Sequence, residues 1–329
     1  MIRPGPLNLI TDVEGVRVGN AADPRVRTGV TVVLPEAPAT AAADVRGGAP
    51  GTREIDALSP TCLVEAVHAL VLSGGSAYGL DAAGAVMEWL AARGIGLVVG
   101  GARVPLVPAA ILFDLLNGGD KSGAPPHRSL AVAACESAGA TFPLGNVGAG
   151  YGAKAGALKG GLGSASAVAA DGLQVGALVA ANPRGHVVMP DGCFWAWAHE
   201  VGDEFGGRRP QAPVPPDYGL ERLDARIAEN TTIGVVATNA VLSKSEAQRV
   251  AIMAQDGYAR AIRPVHTPFD GDTVFVLATG RHPLSGPRPA ALARLGALAA
   301  DTVARAVARG VYEAETLAPF PSWRDTYKV

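Results

Sequence analysis

Apolar residues recur along the chain in short runs separated by glycine-rich turns. "TGVTVVLP" (Thr28–Pro35) and "HALVLSGG" (His68–Gly75) are compact β-branched or aliphatic runs and predict strands. The second leads into "AYGLDAAGAVMEWLAARG". There Leu80, Ala83, Val86, Met87 and Leu90 fall at helical spacing, and Gly94 marks the stop. "IGLVVGG" predicts a further short strand, and "SLAVAACESAGA" a helix of small residues. "GSASAVAA" (Gly163–Ala170) and "QVGALVAAN" (Gln174–Asn182) flank "DGL" and predict a hairpin.

Between Gly202 and Asn230 the periodicity stops. Prolines and charges dominate, so most of 202–230 is expected to be an exposed loop or linker. After it, "TTIGVVAT" predicts a strand. Ser243 followed by Glu246 is a capping box, and Ala247, Val250, Ala251, Ala254, Tyr258 and Ile262 continue one apolar helix face. "DTVFVLATG" (Asp272–Gly280) predicts a strand and Arg288–Gly310 a long final helix. The C-terminal part thus reads strand–helix–strand–helix. The N-terminal part shows no clean βαβ repeat. Two helical layers around central sheets would bury these faces.

Composition narrows the function. Lys and Arg number 28 against 30 Asp and Glu, a formal net charge of -2. That balance offers no electrostatic case for nucleic acid or an anionic membrane. Prolines and charges interrupt the most apolar stretches, so no membrane span is expected. The N-terminus "MIRPGPLNLI" lacks a basic-then-apolar leader, and Cys62, Cys135 and Cys193 form no CxxC pair. Unpaired thiols and a cytoplasmic location are expected.

Several motifs carry candidate chemistry. "GNVGAGYGAKAGALKGGLGSAS" lacks both the Walker A lysine–hydroxyl pair and the GxGxxG spacing, so no nucleotide cofactor is expected. It reads as a tightly turned hairpin or as a substrate- or oxyanion-binding loop. Asp270 and Asp272, at i and i+2, are a solvated turn, a weak metal clip or a carboxylate pair for an ammonium. No HExxH accompanies them, and no metal is expected. Ser76 after two glycines reads as a helix cap rather than a nucleophile. Thr231 begins a strand directly after the irregular segment. It is either an ordinary strand start or a nucleophile released by cleavage of the bond before it. A freed α-amine titrates at about 7.7–8.0 and can be the general base for its own hydroxyl.

Taken together, "ITDVEGVRVGNA", "DVRGGAPGTRE", "LSGGSAYGLDAAGAVMEWL", "VPAAILFDL", "GNVGAGYGA", "LKGGLGSAS", "VGALVAANPRG", "NTTIGVVATNAVLSK" and "PVHTPFDGDTVFVLATG" resemble one family in order along the chain. It comprises the L-aminopeptidase/D-Ala-esterases and β-peptidyl aminopeptidases, with the nylon-oligomer hydrolases as relatives. The resemblance implies an α+β fold, a four-layer αββα sandwich of the N-terminal-nucleophile-hydrolase type, in one domain spanning 1–329. It implies a cut between Asn230 and Thr231, giving an α chain 1–230 and a β chain 231–329 that stay together.

The same resemblance places the nucleophile at Thr231 and an oxyanion donor at Asn182. It places at Asp270 and Asp272 the residues that orient the new amine. Phe113 stands where some relatives carry Tyr, and Ala157 where the family has a lysine. Lys154 or Lys159 is then the substitute, with Lys159 preferred beside the glycine hairpin. Phe113, Gly148 and Tyr78 are candidate substrate contacts. The expected activity is hydrolysis of short peptides or amides bearing a free amine. Acyl transfer of the ornithine-acetyltransferase kind and a catalytically idle scaffold are the alternatives. The family's members assemble, so a homo-oligomer is expected, a tetramer among the options, with small-residue helices such as Arg288–Gly310 available to pack between subunits.

Overall fold

The computed structural model describes residues 2–220 and 230–328. Two sheets lie face to face, each with helices on its outer side. The larger sheet runs β1 (Ile2–Arg3), β12 (Gly161–Ala169), β13 (Gln174–Ala181), β14 (Ile233–Ala240), β15 (Thr273–His282), β4 (Thr40–Val45). The smaller runs β2 (Val16–Asp23), β3 (Thr28–Pro35), β6 (Leu70–Ser73), β9 (Ala109–Ile111), β5 (Thr52–Arg53). β7 (Leu97–Val99) with β8 (Ala102–Val104), and β10 (Lys154–Ala155) with β11 (Leu158–Lys159), form separate hairpins. The helices are α1 (Asp81–Ala91), α2 (His127–Glu136), α3 (Lys244–Ala254), α4 (Asp256–Ala261), α5 (Arg288–Tyr312) and α6 (Trp323–Tyr327).

Side-chain alternation along the strands builds the layers. In β15, Phe275 and Leu277 point between the sheets, while Val274 and Val276 point outward to the helices. Val235 and Val236 of β14 divide the same way. The middle core joins Ile10, Val33, Leu72, Leu112 and Leu178 to these inner residues. One outer core packs Val250 and Val303 on the larger sheet, and the other packs Val86 and Ala131 on the smaller. Burying each of these Val, Leu, Ile and Phe side chains is worth roughly 1.5–3 kcal/mol. Three apolar interfaces make four layers, αββα.

The elements that the pattern placed begin and end close to their expected bounds, with informative exceptions, but it placed no strand at β2, β4, β5 or β9. The helix opened by the Ser243 capping box breaks at Gln255 instead of running on through Tyr258. Gln255 Nε2 donates to the Asp44 carbonyl at 2.8 Å, and Gly257 lies so close to the Ala300 carbonyl that a Cβ would stand 2.4 Å from it. α4 therefore turns to follow α5. The parallel pair β6 and β9 is a crossover through α1, hidden in the sequence because the β7–β8 hairpin interrupts it. Part of the small-residue face of α5 is taken up inside the chain, while Ala290, Ala293 and Ala297 stay exposed. A Cβ at Gly163 of β12 would stand 1.9 Å from the Ala306 carbonyl.

The stretch read as an exposed linker is mostly exposed from Arg209 to Leu220 but anchored before that. Phe205 is fully buried in the outer core, and Glu204 pairs with Arg305 of α5 at 2.6 Å. Residues 221–229 of that stretch lie outside the described residues. Among the described residues no helix is long and apolar enough to cross a membrane.

Candidate active site

Register brings the site together. β14 and β15 run parallel, with Ile233 opposite Thr273. The residues just before each strand, Thr231–Thr232 and Gly271–Asp272, therefore lie side by side. β14 itself begins at Ile233, two residues later than the β-branched run suggested. Thr231 and Thr232 direct their amides elsewhere. Thr231 N–H donates to the Asn182 carbonyl at 2.8 Å, and Thr232 N–H to Asp272 Oδ1 at 2.8 Å.

The Thr231 hydroxyl is buried and donates to the carbonyl oxygen of Asn230. Its oxygen accepts from Gly271 N–H at 3.1 Å. Glycine is needed there. A Cβ on residue 271 would stand 2.8 Å from Thr231 Oγ1 and 2.7 Å from the Ala49 carbonyl. Asn230 Nδ2 and Thr232 Oγ1 are buried without a partner among the described residues.

The 270–272 turn is zipped onto the "RGGA" segment of 46–49. Arg46 N–H donates to the Asp272 carbonyl at 2.9 Å and Ala49 N–H to that of Asp270 at 2.8 Å. A Cβ at Gly47 would fall 2.2 Å from the Asp270 carbonyl. Asp270 is buried and accepts from Arg184 N–H at 3.0 Å and from Thr267 N–H at 3.2 Å. Burial, reinforced by the neighbouring Asp272 charge, pushes its carboxyl up to about 6.

Asn182 follows the end of β13, where Pro183 cannot continue the ladder. Its Nδ2 donates to the Phe113 carbonyl at 3.1 Å and its Oδ1 accepts from Lys154 N–H at 2.9 Å. Lys159 is fully buried in the β10–β11 hairpin, opposite Lys154. Its ammonium donates to the carbonyls of Gly150 at 3.1 Å and Gly160 at 2.7 Å, not to Thr231. Burial lowers it to about 7.

Thr231, Asn182, Asp270 and Asp272 thus converge. The candidate substrate contacts do not share one depression. Phe113 lines a small cleft with Asn182, Lys154 and Phe320. Tyr78 lies on the rim of a larger cavity of about 390 Å³ with Leu115, Pro125 and His127. Gly148 lines a third, of about 240 Å³, with Asn20 and Tyr151. Of Thr231, Asn182, Asp270 and Asp272, only Asn182 lines one of these three depressions, the small cleft beside Phe113.

Gly271 and His266 escaped the sequence reading, as did Asp114 in the neighbouring small cleft. The first two lie inside "HTPFDGD", where spacing drew notice only to the acids. His266 Nδ1 is 2.9 Å from Asp272 Oδ2. Asp114, next to Phe113, is buried and accepts from Thr28 Oγ1 at 2.7 Å and Gly75 N–H at 2.8 Å. Burial raises its carboxyl.

Two facing sheets between helical layers place this chain in the N-terminal-nucleophile hydrolase fold. It superposes on the L-aminopeptidase/D-Ala-esterase/amidase of Ochrobactrum anthropi, described as a variant of that fold. The TM-score is 0.73 at 23% identity, over 97% of this chain and 90% of the other. A Burkholderia sp. beta-aminopeptidase gives 0.71 at 23% identity, over 95% and 89%. The chain belongs to peptidase family S58, which it matches over residues 8–322, and is a hydrolase. An uncharacterized aminopeptidase of Mycobacterium tuberculosis is 45% identical over 98% of both chains. The 6-aminohexanoate-oligomer endohydrolase of Kocuria sp. is 32% identical over 82% of this chain and 74% of its own.

Proposed function

We propose that the chain cuts itself between Asn230 and Thr231, and that Thr231 then serves as the N-terminal nucleophile of an aminopeptidase or amidase. The observation that carries this is the environment of the Thr231 hydroxyl. It is buried against the Asn230 carbonyl, its oxygen held by Gly271 N–H and its own amide by Asn182.

In the cut, Oγ1 attacks the Asn230 carbonyl carbon. The hydroxyl proton passes to the departing nitrogen, the C–N bond breaks and an ester forms. Water then hydrolyses the ester, leaving an Asn230 carboxylate and a free Thr231 amine and hydroxyl.

In turnover the freed amine takes the hydroxyl proton as Oγ1 attacks the substrate amide. The leaving amine receives that proton, and water releases the acyl group. Asn182 Nδ2 stabilises the oxyanion after turning from Phe113, a contribution of about 3 kcal/mol. Asp270 and Asp272 orient the Thr231 ammonium. Lys159 acts at longer range, through the β10–β11 hairpin, where its partner Lys154 donates its backbone N–H to Asn182 Oδ1. Substrates are short peptides and amides with a free amine, including those of β- and ω-amino acids. The names of the relatives, aminopeptidase and 6-aminohexanoate-oligomer endohydrolase, support this class.

A denaturing gel of purified protein should show fragments 1–230 and 231–329. Thr231→Ala should stay intact and release no amine from aminoacyl p-nitroanilides. An intact wild-type chain that hydrolyses these amides would refute the Thr231 mechanism. Acetyl transfer to ornithine without net hydrolysis would point to acyl transfer instead.

A further inference from the structure

His266 takes no part in the steps above, yet its backbone is held in the left-handed region, φ +53°. For a residue with a Cβ that conformation costs roughly 1–2 kcal/mol. What it achieves is a double grip on one atom. His266 N–H donates to Asp272 Oδ2 at 3.2 Å, and ring Nδ1 meets the same oxygen at 2.9 Å. The other carboxylate oxygen of Asp272 accepts from Thr232 N–H at 2.8 Å. Asp272 is buried, so these contacts set its orientation. The chain of contacts runs His266, Asp272, Thr232, and ends one residue from the proposed nucleophile. For a carboxylate acceptor the hydrogen sits on Nδ1, leaving Nε2 outside this chain.

We propose that His266 is a positioning residue of the hydrolase site. It locks the Asp272 carboxylate, which in turn fixes Thr232 and the start of β14. The consequence for cleavage rests on the Thr231 reading above. The consequence for the Thr232 amide does not.

Three substitutions separate this role from bulk packing. Asn tolerates the left-handed backbone, and its Nδ2 falls near the position of Nδ1. Gln places its amide nearer Nε2, and Ala offers no donor. In intact chains carrying Thr231→Ala, hydrogen exchange at the Thr232 amide should be slow with His266 and with His266→Asn. It should speed up in His266→Gln and His266→Ala, with thermal midpoints of all four close together. In chains that retain Thr231, freshly translated precursor should cleave about tenfold more slowly, or worse, in the Ala and Gln variants. The Asn variant should stay near the wild-type rate. Unchanged Thr232 protection in His266→Ala, or an Asn variant as impaired as Ala, would overturn the proposal. If wild-type precursor never cleaves while the exchange pattern holds, the Thr231 mechanism falls and the positioning role stands.

Discussion

Gly271 and Thr231 meet at the start of two parallel strands, with the glycine amide donating to the threonine oxygen at 3.1 Å. The contact depends on the missing side chain, since a Cβ would stand 2.8 Å from Oγ1 and 2.7 Å from the Ala49 carbonyl. Gly271→Ala should therefore push the turn off Thr231. Misplacing a reacting atom by about 1 Å can cost roughly a hundredfold in rate. The expected outcome is precursor that persists on a denaturing gel about a hundred times longer, with its thermal midpoint only slightly lowered. Normal cleavage in this variant would remove Gly271 from the site.

Lys159 gives a pH signature. Burial lowers its ammonium from the usual 10.5 to about 7. Between those values the unfolded chain binds more protons than the folded one, so folding stability contributed by this group rises with pH. Measured in uncleaved Thr231→Ala chains, stability relative to an added Lys159→Met change should climb by about 1.4 kcal/mol per pH unit between about pH 7 and 10. Parallel stability curves for the two chains would mean that Lys159 keeps an ordinary ammonium.

Glu204 tests the anchored part of the irregular segment. Its carboxylate meets Arg305 at 2.6 Å and Asn8 Nδ2 at 2.7 Å, with the Arg305 and Glu204 side chains 5% and 8% exposed. Glu204→Ala strands a buried guanidinium, which costs about 3–5 kcal/mol. A clear fall in the chemical-denaturation midpoint is expected. A change as small as that of an exposed ion pair would show the segment to be loosely held.

Local features were legible in the sequence because their causes are local. Ser243 caps α3 through Glu246, three residues away, and the β12–β13 hairpin turns on its own Asp-Gly. The resemblance of ordered motifs drew attention to Asn182, Asp270 and Asp272, and the pairing of β14 with β15 on one side and β13 on the other explains why they surround Thr231. Other contacts depend on segments far apart in the chain. The zip of 46–49 onto 270–272 joins residues more than two hundred positions apart, and nothing in "RGGA" announces its partner. His266 was missed because its role comes from a left-handed backbone that histidine does not signal. The break at Gln255 was missed because helical periodicity survives it, while the cause is a long-range bond to Asp44. Burial of Phe205 was hidden by the prolines and charges around it.

The larger sheet interleaves the two ends of the chain. β14 and β15 sit between β13 and β4, so the strands after Thr231 are flanked on both sides by strands that precede it. While the 230–231 bond is whole, folding is a reaction of one molecule with itself. Once it is cut, unfolding releases two molecules that must find each other again. Refolding then depends on protein concentration, as for a heterodimer. A heated and cooled precursor should recover independently of dilution, whereas the processed enzyme should recover less the more dilute it is. Cleavage would thus make thermal unfolding, independent of dilution before it, close to a one-way event in a dilute cell extract.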